Sequence, residues 1–178
     1  MTHQYQFDAT TNTMTIVEVT KPFGIAESVT LSDDEMREAG HFAVDRRFDS
    51  RHKQSHNAVK SKSCTLNTEL DQVCAVLAAA KACGKRATLN RGTYEPDRVG
   101  NWRIRHTSNP SGRLRVYDDQ PASEICVLVV GRDGKFTLKG WMRAGDARRV
   151  GFKEDLNGSG KTCWCVPQNA LKPMKELQ

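Results

Sequence analysis

The stretch from Glu95 to Val130 limits the fold more than any other part of the chain. It opens on Glu95-Pro96-Asp97-Arg98-Val99-Gly100 and continues as Trp102-Arg103-Ile104-Arg105, Arg113-Leu114-Arg115-Val116-Tyr117 and Ile125-Cys126-Val127-Leu128-Val129-Val130. This is an acidic turn feeding three consecutive strands. In the first two, arginine alternates with apolar residues, and successive side chains of a strand point to opposite faces. Arg103 and Arg105 therefore share a face, as do Arg113 and Arg115. If these two strands pair, they build a cationic surface beside one carboxylate, Asp97.

The charge of the whole chain bears on what that surface meets. The formal net charge is +6, yet residues 1–45 carry two basic and eight acidic side chains, so the remainder sums to +12. Such asymmetry points to a polyanion partner for the C-terminal three quarters, nucleic acid foremost. A length of 178 residues suits one domain with a sizeable core. No apolar run approaches the roughly 20 residues that span a membrane. Met1-Thr2-His3-Gln4 has neither the basic nor the apolar segment of a signal peptide, so the expectation is an intracellular protein without membrane association. The six cysteines fit reduced thiols packed as small hydrophobes better than a disulfide framework. Cys163-Trp164-Cys165 sets two thiols on one strand face, but no second pair or histidines stand at zinc-site spacing.

Before the central stretch, Tyr5-Gln6-Phe7 and Met14-Thr15-Ile16-Val17-Glu18-Val19 flank a polar turn and predict a hairpin arm over residues 1–28. Ser32 with Glu35 forms a capping box for a helix to about Phe48, with Met36, Ala43, Val44 and Phe48 as its apolar stripe. Residues 49–63, with Arg51, His52, Lys53, His56, Lys60 and Lys62, read as a basic loop able to touch phosphate. Thr68 is the expected N-cap of a second helix through Leu70, Val73, Cys74 and Leu77, ended by Gly84. Arg86 to Asn90 is a short strand. Gly131-Arg132-Asp133-Gly134 is a hairpin turn leading to a strand over Lys135–Met142. Arg143 to Arg149 reads as a basic turn, Thr162 to Val166 as a last strand, and Pro167 onward as a short terminal helix. Among the histidines, His106 falls on the face opposite Arg105, with no nucleophile nearby to make it a general base.

Pro96-Asp97 followed by Arg103-Ile104-Arg105 resembles the signature of the PD-(D/E)XK nuclease-like superfamily, as does the order of helix 68–83, strand 86–90, Asp97 and strands 102–106 and 113–117. Val99-Gly100, the run Val127 to Gly131, Lys139-Gly140-Trp141-Met142 and Val166 to Pro173 are similar to small uncharacterised phage and prophage proteins of that superfamily. The resemblance covers residues 29–173. It implies an α/β (α+β) fold, with a mixed central sheet flanked by helices and a restriction-endonuclease-like core. It also implies a magnesium or manganese site around Asp97. The chain departs from the pattern where chemistry is done. The helix glutamate falls near Val76, the acid of the acid-x-lysine pair on Arg103, and the lysine on Arg105. Only Asp97 remains as a candidate catalytic and metal-binding carboxylate, with Glu69, Asp71, Glu95 or Asp119 as displaced substitutes. Arg103 pairing with Asp97 is the structural alternative.

Together these readings give a nucleic-acid-binding protein with a degenerate nuclease-like site and no bound cofactor, cytoplasmic in a bacterial host if phage-derived. Arg98, Arg103, Arg105, Arg113 and Arg115 are expected to contact phosphate, with Arg51, Lys53, Lys60 and Lys62 as a second contact. An active metal-dependent nuclease using Asp97, and a phage protein that modulates a host protein through its acidic residues 1–45, are the alternatives. Edge-strand pairing through the arm would give a homodimer.

Overall fold

The run of small residues in the second helix decides how the layers meet. This helix, α2 (Leu66–Cys83), buries Val73 to Ala80 without interruption, together with Ala82. A helix buried nearly all round must sit between two other elements, and its alanines let both approach closely. One neighbour is helix α1 (Asp33–His52) and the other is a sheet. The computed structural model describes residues 4–8, 13–17, 27–52, 65–91, 96–155 and 162–177.

The caps follow local chemistry. The Ser32 hydroxyl accepts from the Glu35 N–H at 3.2 Å and the Glu35 carboxylate accepts from the Ser32 N–H at 2.6 Å, the expected capping box. Burial opposes ionisation of Glu35, but Lys81 and the Ser32 bonds outweigh it and hold its carboxyl below the usual range. Helix α2 starts one turn earlier than the sequence suggests. Its cap is Thr65, whose hydroxyl accepts from the Thr68 N–H at 3.2 Å. Gly84, at φ +58°, closes the helix as expected. On α1 the buried stripe is Ala39, Phe42 and Ala43 with Met36 packed beside it; Val44 and Phe48 are exposed, off that stripe.

The strands are β1 (Gln4–Asp8), β2 (Thr13–Val17), β3 (Ser28–Thr30), β4 (Ala87–Asn90), β5 (Arg98–Val99), β6 (Trp102–Thr107), β7 (Leu114–Val116), β8 (Ile125–Arg132), β9 (Lys135–Arg143), β10 (Phe152–Glu154) and β11 (Cys163–Val166). Eight of them form one sheet in the order β1-β2-β4-β5-β6-β8-β9-β3. Among the described residues only β6 and β8 pair in parallel, so the sheet is mixed and the fold is α+β. The N-terminal hairpin β1–β2 is present and joins this sheet through β2 and β4. The Asp133-Gly134 turn has both residues at positive φ, as a two-residue hairpin loop requires.

The two arginine strands do not pair with one another. Beside β6 lies β8, and β7 joins a second sheet of order β10-β11-β7. Burial explains the choice. Strand β8 is apolar on both faces, with Val127 and Val129 toward α2 and Cys126, Leu128 and Val130 toward a second core. Such a strand belongs in the centre of a sheet. Strand β7 buries Leu114 and Val116 and exposes Arg115, so it can cover only one face. The expected basic turn at Arg143 to Arg149 is helix α3 (Ala144–Val150) instead; buried Ala144 and Ala147 anchor it to the second core. The result is a stack in which α2 lies on one face of the large sheet with α1 packed on it, and the small sheet with α3 lies on the other face. Past β11 the chain forms two short 3-10 turns, Gln168–Ala170 and Met174–Glu176, where a terminal helix was expected. Among the described residues no helix is long and apolar enough to cross a membrane.

Gly140 lets the C-terminal segment dock on β9. It lies at φ +144°, and a Cβ there would stand 2.6 Å from the Lys172 carbonyl oxygen. Trp141 and Lys172 exchange backbone bonds of 2.9 and 3.0 Å beside it. Gly140→Ala is expected to cost about 1–3 kcal/mol by overpacking. Urea denaturation measures the loss, and limited proteolysis shows whether cleavage begins in the undocked segment from Leu171 to Leu177.

Candidate functional site

Asp97 lies on the helix side of the large sheet, where the end of α1 meets the start of α2. Its side chain is 2% exposed. One carboxylate oxygen accepts from both terminal nitrogens of Arg46, at 2.8 and 3.0 Å, and the other accepts from the Asn90 N–H at 3.2 Å. The Nε of Arg46 donates to Glu69 at 2.8 Å. A single guanidinium therefore bridges two carboxylates, one from the Pro96-Asp97 turn and one from the first turn of α2. Burial pushes the Asp97 carboxyl up, while Arg46 and the Asn90 N–H pull it back. Arg46 reaches this point because it continues the buried stripe of α1 one turn beyond Phe42.

This arrangement tests the metal that the resemblance implies. Glu69, one of the substitute acids named from sequence, does stand near Asp97. The space between the two carboxylates is filled by a permanent cation, and both are hydrogen-bonded to it. Val76 is wholly buried among apolar residues. Asp97 and Glu69 as arranged do not fit a divalent cation, and no step is derived through one.

Arg103 does not turn to Asp97; by strand alternation it and Arg105 project from the opposite face of the sheet. There they meet the loop Tyr117–Glu124, with Arg98 from the neighbouring β5. Glu124 is buried and accepts from Arg98 through one oxygen and from Arg103 through the other, at 2.8 Å. The Gln120 amide donates to that second oxygen at 2.7 Å and accepts from Arg105 at 2.8 Å. Burial opposes ionisation of Glu124, but Gln120, Arg98 and Arg103 together hold its carboxyl below the usual range. Burial, then the adjacent Arg103 charge, lowers the pKa of Arg105. The Nε atoms of Arg103 and Arg105 are buried without a hydrogen-bond partner.

Two more arginines close on the same loop. Arg148 donates to the carbonyls of Tyr117 and Gln120 at 3.2 and 2.9 Å, and Arg143 reaches the Ser123 carbonyl at 3.5 Å. Two guanidinium groups thus pair with the buried Glu124 carboxylate, and three more bond the loop that carries it. The loop's Asp118 is turned away, held by the Trp164 indole N–H at 2.7 Å and Lys153 at 3.1 Å. A groove of about 370 Å³ opens beside the cluster, lined by Arg98, Asn101, Pro121, Ser123, Glu124 and Arg143 among others.

The remaining expected contacts are dispersed. Arg115 is exposed on the outer face of the small sheet, and Arg113 beside it pairs with Glu154 at 2.8 Å. Arg51 falls in the last turn of α1, where side chains lie outside the described residues, and Lys53, Lys60 and Lys62 lie outside them altogether. His106 bonds the Gly131 carbonyl through Nε2 at 2.7 Å and packs on Phe136. Reading from sequence missed Glu124, Gln120, Arg46, Arg143 and Arg148. Glu124 has one visible signal, an acid set directly before the apolar run of β8, where burial would demand a cation.

Compared with known proteins, the chain matches no family model, no curated protein and no solved structure at the significance required.

Proposed function

We propose that the protein binds nucleic acid through the arginine cluster around the Tyr117–Glu124 loop, on a phage-derived, PD-(D/E)XK-like scaffold whose nuclease site is degenerate. The supporting observation is the surplus of guanidinium charge, five groups on one loop with a single buried carboxylate beside an open groove. Arg98 and Arg143, on the groove, are the direct phosphate contacts. Arg103 and Arg105 lie behind them, engaged with Glu124 and Gln120, and add to the field. Exposed Arg115 adds a contact on the small sheet. A guanidinium fork suits phosphate oxygens, and release of counterions makes such binding steeply salt-dependent.

Anisotropy of fluorescent duplex DNA across a salt series tests this reading. The double variant Arg98→Ala/Arg143→Ala is expected to weaken binding at least tenfold. It should also lower the slope of log affinity against log salt by about one per lost phosphate contact. Flat salt dependence, or unchanged affinity in the double variant, would sink the proposal. A second reading, an active metal-dependent nuclease, draws on Glu69 standing beside Asp97. It requires Arg46 to vacate the site, and cleavage with manganese that stops in Asp97→Ala is its signature. Neither binding nor cleavage would move the weight to a host-protein partner and the acidic residues 1–45.

A further inference from the structure

The groove beside the arginine cluster has a lining that contact with a phosphate backbone does not use up. It lies where the β5–β6 turn, the start of β8 and the end of β9 come together. Trp102, Ile125 and Arg143 are successive cross-strand partners there, with Arg98 on β5 and Asn101 in the turn that leads to Trp102. The loop that makes its other wall is fixed in advance. The Ala144 N–H donates to the Glu124 carbonyl at 2.8 Å, and the Gly145 N–H to the Ala122 carbonyl at 2.9 Å.

Two guanidinium groups are held at consecutive residues of that wall. Arg98 is tied to the Glu124 carboxylate, and Arg143 reaches the carbonyl of Ser123. Among the described residues that 3.5 Å contact is the only hydrogen bond of Arg143, so most of its N–H groups are open to a ligand. The Asn101 amide and the Ser123 hydroxyl also make no hydrogen bond among the described residues, and both side chains are exposed. Pro121 and Ile125 add apolar surface. The volume of about 370 Å³ equals the share of about a dozen waters in the liquid. That is several times what a phosphate group fills, and it falls at the lower end of small-molecule sites, about 300–1,000 Å³.

We propose that this groove binds a nucleoside monophosphate unit, with its phosphate between Arg98 and Arg143 and its nucleoside against Pro121 and Ile125, within reach of Asn101 and Ser123. A phosphate monoester carries close to two negative charges near neutral pH, whereas an internal phosphodiester carries one. Two guanidinium groups at neighbouring positions match the monoester. Glu124 does not cancel them, because its oxygens are shared with Arg103 and Gln120 as well as Arg98. A free amide can pair with a base edge, as asparagine does with adenine, and a free hydroxyl can bond the sugar. The unit is a free mononucleotide or the unpaired last nucleotide of a strand. The second source rests on the nucleic-acid reading above and makes strand ends its target.

Isothermal titration of the full-length chain with deoxyadenosine monophosphate and with inorganic phosphate, at one ionic strength, tests the site. The mononucleotide is expected to bind at least tenfold more tightly than phosphate. Arg143→Ala should weaken both at least tenfold. Asn101→Ala and Ser123→Ala should weaken the mononucleotide more than phosphate, with melting curves checking that these exposed substitutions leave the fold intact. A deoxyadenosine octamer with and without a terminal phosphate separates the sources. Binding tighter than the mononucleotide, and only when phosphorylated, assigns the strand end; affinity no better than the mononucleotide assigns the free nucleotide. A mononucleotide that binds no more tightly than phosphate, or that is unaffected by Arg143→Ala, would overturn the proposal. A duplex closed by hairpins at both ends distinguishes this failure from that of the DNA reading. Salt-dependent binding of the closed duplex without mononucleotide binding strikes the nucleotide site alone, and mononucleotide binding without the closed duplex strikes the backbone reading alone.

Discussion

Glu124→Gln is expected to lower the unfolding free energy by about 2–4 kcal/mol, the cost of removing one member of a buried ion pair, reduced because Arg98 is partly solvated. The amide keeps the shape and one acceptor but removes the only carboxylate buried among Arg98, Arg103 and Arg105. Their mutual repulsion is then unopposed. At the sensitivity usual for a chain of this length, the thermal midpoint should fall by about 10 °C. The effect has a pH signature with a definite sign. Glu124 titrates below its unfolded value, so its stabilisation is present above the unfolded pKa and lost as pH falls through the folded one. Wild type and Glu124→Gln should therefore converge in stability below about pH 4. Parallel pH profiles down to pH 2 would show that the network does not act as an ionic unit. The same variant leaves more uncompensated positive charge at the groove, so any DNA affinity should rise while stability drops. A merely structural network would lose both.

Arg46→Met is expected to destabilise by about 3–5 kcal/mol at neutral pH, because it strands a wholly buried carboxylate and frees a second one beside it. Methionine keeps most of the apolar stem, which limits the loss from packing. Burial already pushes the Asp97 carboxyl up, and without Arg46 it rises further. For a carboxyl raised on folding, the native state binds more protons than the unfolded chain between the two pKa values. Stability then falls as pH rises through that window. The deficit of Arg46→Met should therefore be largest at neutral pH and shrink toward pH 4. Asp97→Asn in the same chain should recover much of it, since the amide needs no cation. Denaturant unfolding of the two single variants and the double variant measures the coupling. Additive losses would show that Arg46 acts through packing alone.

The local elements were legible because each rests on neighbours in sequence. Ser32 and Glu35 satisfy each other three residues apart, Gly84 accepts the left-handed conformation that ends α2, and Asp133-Gly134 suits both positions of a two-residue turn. The alternation of Arg103, Ile104 and Arg105 sets which side chains share a face whatever strand pairs beside them. A mixed sheet with helices against it was also expected, from the resemblance and not from spacing. Local spacing misled where an end was set by a competitor one turn away. Thr65 took the cap expected of Thr68, and α1 ran past Phe48 to His52.

Tertiary structure alone decided which arginine meets which acid. By strand alternation Asp97 and Arg103 stand on opposite faces of one sheet, so their closeness in sequence could not become a contact. Arg46, 51 residues away, reaches Asp97 because α1 packs on α2, which covers that face, and Glu124 reaches Arg103 because the loop before β8 folds over the other. Which strand lies beside β6 was settled by burial: β8 is apolar on both faces and takes the centre, while β7 exposes Arg115 and takes the outer layer. Sequence sets which faces a strand can bury. Only the packed layers determine what lies against each face, because a charge far along the chain is placed by the fold.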